Sequence, residues 1–200
     1  MDPLTLTLVR HGETEGQSSI RYHGRTDVPL SARGRQQMQR VRDALHGAEF
    51  GGVYASTLCR AREAAQIIGR PVPVTLVAGF DEIDFGAWEG LTAEEIETRD
   101  PCGYAQWRTH DGEFHYPGGE SIRAFRERVV RALHDVLAHA PNGSLLFVVH
   151  KGVIRSVLAE LLRPDVLRRS ALVADLGSIH VVRRDHGGWS AAVLDRTDHL

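Results

Sequence analysis

Cysteine is scarce in the 200 residues: Cys59 and Cys102 occur in unrelated surroundings, without CxxC spacing. A disulfide-built scaffold and a thiolate metal site are thereby excluded, and a reducing cytoplasm is the expected compartment. The stretch from Met1 to Val9 lacks a basic leading region and runs straight into polar Arg10 and His11. It is expected to be neither a signal peptide nor a membrane span. Neither sign of charge prevails, since 24 Lys plus Arg stand against 26 Asp plus Glu, and neither nucleic acid nor an anionic membrane is expected as a partner. There is no GxxxxGK[ST] loop and no cluster of metal-type carboxylates, so no metal and no cofactor are expected. Internal repeats, low-complexity tracts and interdomain linkers are also missing, and residues 1–200 have the size of one domain with a buried core.

What is present is an alternation of strand and helix patterns. Leu4 to Val9 alternates Leu and Thr before turning wholly apolar, Gly52 to Ser56 and Val72 to Val77 are short strand candidates, and Leu145 to Val149 is an apolar run suited to a central strand. Ser31 can cap a helix that carries Met38, Val41 and Leu45 on one face and ends near Gly47. Ser56 or Thr57 can cap a second helix, which runs to Ile68 and is closed by Gly69 and Pro71. Ile122, Phe125, Val129, Val130, Leu133 and Leu137 recur at helical spacing, and another helix is expected from Val153 to Leu162. Ser178 to Arg183 and Trp189 to Leu194 read as a closing hairpin, a candidate surface for a homodimer. The pattern predicts a three-layer α/β/α sandwich, its sheet mostly parallel with one antiparallel strand. Residues 80–117, with Trp88, Tyr104, Trp107, Phe114 and Tyr116, read as a small helical insertion over the site.

Two buried strands each end in a histidine, in Val9-Arg10-His11-Gly12 and Val149-His150-Lys151-Gly152. Ligands of parallel sheets bind beyond the strand carboxyl ends, so both imidazoles are expected in one crevice, with the following glycines admitting a ligand to the backbone. Arg10 adjoins the first histidine, and Arg60 opens the helix after the second strand. Together the four form an anion cradle able to hold a transferring phosphoryl group by fixed positive charge.

The run Leu8-Val9-Arg10-His11-Gly12-Glu13-Thr14 resembles the "RHGET" signature of the histidine phosphatase (phosphoglycerate mutase-like) superfamily. The likeness continues, in family order, through residues 21–31, 56–61, 82–90, 117–121 and 148–153. It implies a phosphomonoesterase of histidine acid phosphatase type, with His11 as nucleophile, Arg10, Arg60 and His150 around the phosphate, and Glu82 as proton donor. The attacking nitrogen of His11 must be unprotonated, so a backbone carbonyl is expected to hold the other ring nitrogen. Within the superfamily the chain looks most like α-ribazole phosphatases and short broad-specificity phosphatases, which implies a small phosphorylated substrate such as α-ribazole 5'-phosphate or a sugar or glycerate phosphate.

Other readings stand beside these. Glu82 can instead balance Arg10 or Arg60, and Glu13 is expected to pair with an arginine and order its loop. Thr14, Gln17, Arg21, His23, Gly24, Lys151 and Gly152 are candidates for substrate binding. Where the family pattern has Trp-Asn, Gln and Gly, this chain has Gly16-Gln17, His23 and Lys151. Thr14 and Gln17 can cap the loop, His23 can fill it, and Lys151 can point away and offer only its N–H. At the level of function the competitors are a cofactor-dependent phosphoglycerate mutase, disfavoured by the shortness of the insertion, and a non-catalytic phospho-ligand-binding protein.

Overall fold

The structure, a computed structural model, describes residues 3–109, 112–165 and 172–200. Its strands are β1 (Leu4–Arg10), β2 (Gly52–Ala55), β3 (Val74–Leu76), β4 (Gly143–Val149), β5 (Ile179–Asp185) and β6 (Gly188–Arg196). They form one sheet in the order β3-β2-β4-β1-β5-β6. Strands β1 to β4 run parallel, whereas β5 runs antiparallel to both its neighbours, β1 and β6. This is the expected α/β architecture with one reversed strand.

The helices are α1 (Ala32–Ala44), α2 (Cys59–Ile68), α3 (Ala93–Arg99), α4 (Pro101–Thr109), α5 (Ile122–His139) and α6 (Lys151–Leu161). Strand β4 explains the layering, because its side chains are buried on both faces. Leu145, Phe147 and Val149 join α5 and α6 residues such as Val129, Leu133, Val153 and Val157 in one core. Leu146 and Val148 join Met38 and Val41 of α1 and Ala64, Ala65 and Ile68 of α2 in the other. Among the described residues no helix is long and apolar enough to cross a membrane.

Ser31 caps α1 by accepting the Gly34 N–H at 3.1 Å, and Ser121 does the same for α5 with the Ala124 N–H. The expected cap of α2 is not formed. Its N-cap is Leu58, which has no side-chain bond to offer, and the hydroxyls of Ser56 and Thr57 donate to the carboxylate of Asp81. The charge-assisted bonds to the Asp81 carboxylate hold both hydroxyls before the first turn, where Ser56 Oγ accepts only the Leu58 N–H.

Between β3 and α5 the chain forms two 3₁₀ turns and then α3 and α4. This segment is closed at its base by the bonds Ala87 N–H to Pro117 O and Glu120 N–H to Asp84 O. It is tied to the loop after β1 by Arg21, which donates to Gly90 O and to Glu95 of α3, at 2.7 and 2.8 Å.

Candidate active site

Strand register brings the two histidines together. Arg10 of β1 lies opposite Val149 of β4 in a parallel pair, so the next residues, His11 and His150, leave the sheet side by side. Their ring centroids are 5.1 Å apart, the planes crossing at 65°. The His11 N–H donates to Val149 O, which continues the ladder one step beyond the strands. Both imidazoles are buried, at 3% and 1% exposure.

The His11 ring is oriented by the carbonyl of its own neighbour, Gly12, 2.8 Å from Nδ1. With Nδ1 donating there, Nε2 is left as the free basic nitrogen. Gly12 permits this turn for a packing reason, since a Cβ there would meet the backbone oxygen of Gly34 at 2.6 Å. Burial, then Arg60 and Arg10, hold the His11 imidazole well below its usual pKa. His150 is lowered in the same way by burial, Arg60, His11 and Arg10. Both rings are therefore neutral near pH 7.

The two guanidinium groups are held by carbonyls. Arg60, fully buried, donates from Nη1 to Thr26 O and from Nη2 to His23 O and Gly24 O. Arg10 donates from Nη1 to Ala174 O at 2.9 Å. Arg10 Nε, Arg60 Nε and both ring nitrogens of His150 are buried without a hydrogen-bond partner among the described residues. Buried polar groups are normally paired, and four donors or acceptors left open around His11 mark a place made for a polar ligand.

Glu82 sits against the same site. Its Oε2 accepts the Gly152 N–H at 2.9 Å, at the N-terminus of α6, and its Oε1 accepts the Ile83 N–H. A Cβ at Gly152 would lie 2.4 Å from Oε1, so that glycine makes room for the carboxylate. Glu82 is also the leading opposite charge acting on both Arg10 and Arg60.

The remaining candidates are placed differently. Thr14 is buried, and its Oγ1 accepts the Ser18 N–H. Gln17 is exposed at φ +61° and shapes the loop through its carbonyl, which accepts the Ile20 and Arg21 N–H groups. His23 Nε2 meets Gly16 O at 2.6 Å, and the Gly24 N–H reaches the Glu89 carboxylate. Lys151 is half-buried at the start of α6, where burial and the nearby Arg155 and Arg10 lower its pKa. The Glu13 carboxylate orders its loop by accepting from Thr14, Ser18 and Ser19, and among the described residues not from an arginine as expected.

Glu89 had no assigned role, yet its carboxylate accepts from the N–H groups of Gly24, Arg25, Thr26 and Phe85 and from the Thr26 hydroxyl. It thus shapes the loop whose carbonyls grip Arg60. Of the insertion's aromatics, Trp88, Phe114 and Tyr116 are buried in the core, whereas Tyr104 and Trp107 are partly open. Tyr22 lies edge-on to both Phe85 and Trp107.

The lowered histidines set a pH dependence of stability. An unfolded histidine takes a proton at about pH 6.5, whereas His11, His150 and also His180, lowered to about 4, resist it in the fold. Below that pH the unfolded chain binds more protons, so stability is complete above about pH 6.5 and is lost as pH falls, by up to about 1.4 kcal/mol per pH unit per histidine. The melting temperature without phosphate is expected to drop between pH 7.5 and 5.5, and inorganic phosphate, which counters the arginine charge, to reduce the drop. A flat profile in a thermal scan would contradict this.

The family model of the histidine phosphatase superfamily (branch 1) matches residues 6–197. The adenosylcobalamin/alpha-ribazole phosphatase of Escherichia coli K12 is 33% identical over 196 residues, 96% of this chain and 91% of that one. Phosphoserine phosphatase 1 of Hydrogenobacter thermophilus is 28% identical over 197 residues, 98% of this chain and 93% of the relative. The crystal structure of the alpha-ribazole phosphatase from Shigella flexneri superposes with a TM-score of 0.83 at 28% identity, covering 96% of each chain.

Proposed function

The chain belongs to the histidine phosphatase superfamily (branch 1), and on that premise we propose that it hydrolyses small phosphomonoesters through a phosphohistidine formed on His11. That it is a phosphate-ester hydrolase follows from the family and from its phosphatase relatives. The observation that carries the mechanism is the pair of buried imidazoles, 5.1 Å apart, together with the buried Arg60 and the partly buried Arg10, each with an open Nε. Arg10, Arg60 and His150 would bind the phosphoryl oxygens, His11 Nε2 would attack phosphorus in line, and Glu82 would protonate the leaving oxygen. The deprotonated Glu82 then takes a proton from water as it attacks the phosphohistidine, the P–N bond breaks, and phosphate leaves with His11 and Glu82 restored.

For the substrate we favour α-ribazole 5'-phosphate, because two of the relatives are named for that activity. The partly open Tyr22, Tyr104 and Trp107 offer flat faces for a ring-bearing leaving group. A phosphorylated sugar, glycerate or phosphoserine is the alternative. The free thiols Cys59 and Cys102 fit a reducing cytoplasm.

Purified protein is expected to release phosphate from p-nitrophenyl phosphate with its activity unchanged in EDTA, and to prefer α-ribazole 5'-phosphate in a screen that includes phosphoserine and 3-phosphoglycerate. Loss of activity on chelation would implicate a metal. Isomerisation of 3-phosphoglycerate in the presence of its bisphosphate primer, faster than phosphate release, would replace the hydrolase reading by a mutase one.

A further inference from the structure

The C-terminal strand carries a feature that the proposed chemistry does not use. Between the pairs Ile179 with Arg196 and Val181 with Val193, one residue of β5, His180, faces two of β6, Leu194 and Asp195. This is a β-bulge, the kind of irregularity that re-aims a side chain out of a ladder. Asp195 lies in it at φ +52°, in the left-handed region that non-glycine residues seldom adopt. Its N–H is fixed by Nδ1 of the fully buried His180, at 3.2 Å, and His180 Nε2 is in turn 3.0 Å from the Ser178 hydroxyl.

So aimed, the Asp195 carboxylate takes two adjacent backbone donors, the Val173 N–H at 2.8 Å and the Ala174 N–H at 2.7 Å. Ala174 is itself left-handed, at φ +54°, and fully buried. Its carbonyl is the group that accepts Arg10 Nη1. Two uncommon backbone conformations thus meet at one carboxylate, one step from a cradle arginine, and strained conformations persist where the surroundings over-determine them. Among the described residues, the Asp195 carboxylate is the partner that the Val173 and Ala174 N–H groups have.

We propose that Asp195 is a positioning residue: through the turn at 173–174 it sets the direction of the Arg10 guanidinium toward the phosphoryl group. The bulge in β6 exists to place that carboxylate. The proposal rests on the reading of Arg10 as part of the phosphate cradle.

A double-mutant cycle tests it, with p-nitrophenyl phosphate as substrate and inorganic phosphate as competitive inhibitor. Asp195→Ala is expected to lower kcat/KM roughly 10- to 100-fold, the scale for a misplaced binding group, and to raise the inhibition constant of phosphate in step. Asp195→Asn keeps one acceptor and is expected to fall between Asp195→Ala and the parent. It also carries the test should the alanine variant fail to fold. In an Arg10→Ala background the Asp195 change is expected to cost less than about twofold, since residues acting through one another are not additive. If the two losses multiply, or if phosphate inhibits Asp195→Asn as it does the parent, Asp195 is only a structural residue of the hairpin. If Arg10→Ala alone changes neither turnover nor phosphate inhibition, the cradle reading itself fails, and this proposal with it.

Discussion

His11→Ala is expected to give a folded protein whose turnover of p-nitrophenyl phosphate is lower by roughly 10⁴-fold or more, the scale on which loss of a nucleophile acts. Three features make the imidazole indispensable in the proposed mechanism. Its Nδ1 is engaged by Gly12 O, so the tautomer that exposes a basic Nε2 is set before substrate arrives. Burial and the two arginines keep the ring neutral, and a neutral ring carries the lone pair that attack on phosphorus needs. His150, 5.1 Å away, lacks this preparation, because neither of its ring nitrogens is anchored within the described structure. Alanine should fold at that position, since it removes a buried neutral ring and leaves the backbone bond from the His11 N–H to Val149 O intact. Brief incubation with substrate and an acid quench should label the parent with acid-labile phosphate and leave the variant unlabelled. Equal rates in parent and variant would show that His11 is not the nucleophile.

Much of this arrangement was legible in the sequence, and the parts that were not share a cause. Apolar runs ending in Arg10-His11 and Val149-His150 were enough to foresee two histidines above one sheet, because strand direction and register leave little choice of where the next residue goes. The cap Ser31 is local, and it formed as read. Ser56 and Thr57 obey the same local preference but are held by Asp81, 24 or more positions away, and no windowed reading sees that partner. Gly12 and Gly152 were recognised as places of close approach, but the groups that approach are Gly34 and Glu82 of the same chain. Least visible were the carbonyls of His23, Gly24, Thr26 and Ala174 that grip the arginines, since any residue offers a carbonyl. Glu89 stood in a block already noted for resemblance, and only its convergence with the 24–26 loop gives it a physical reason to be there.

Glu82→Gln separates the two half-reactions. Each Glu82 oxygen now accepts one backbone N–H, from Ile83 and from Gly152, and glutamine can keep one of these bonds in a side chain of the same shape. It cannot give or take a proton. For an alkyl phosphate the leaving oxygen departs badly as an alkoxide, and turnover is expected to fall by roughly 10²–10⁴-fold, the range for losing a general acid. For p-nitrophenyl phosphate the phenolate leaves unaided, so phosphorylation of His11 should survive while attack by unactivated water becomes slow. Rapid mixing is therefore expected to show a burst of nitrophenolate close to one equivalent of enzyme, followed by slow release, where the parent shows a smaller burst or none. A loss of equal size for all leaving groups, with no burst, would move the proton-donor role away from Glu82 and leave it as the carboxylate that balances Arg10 and Arg60.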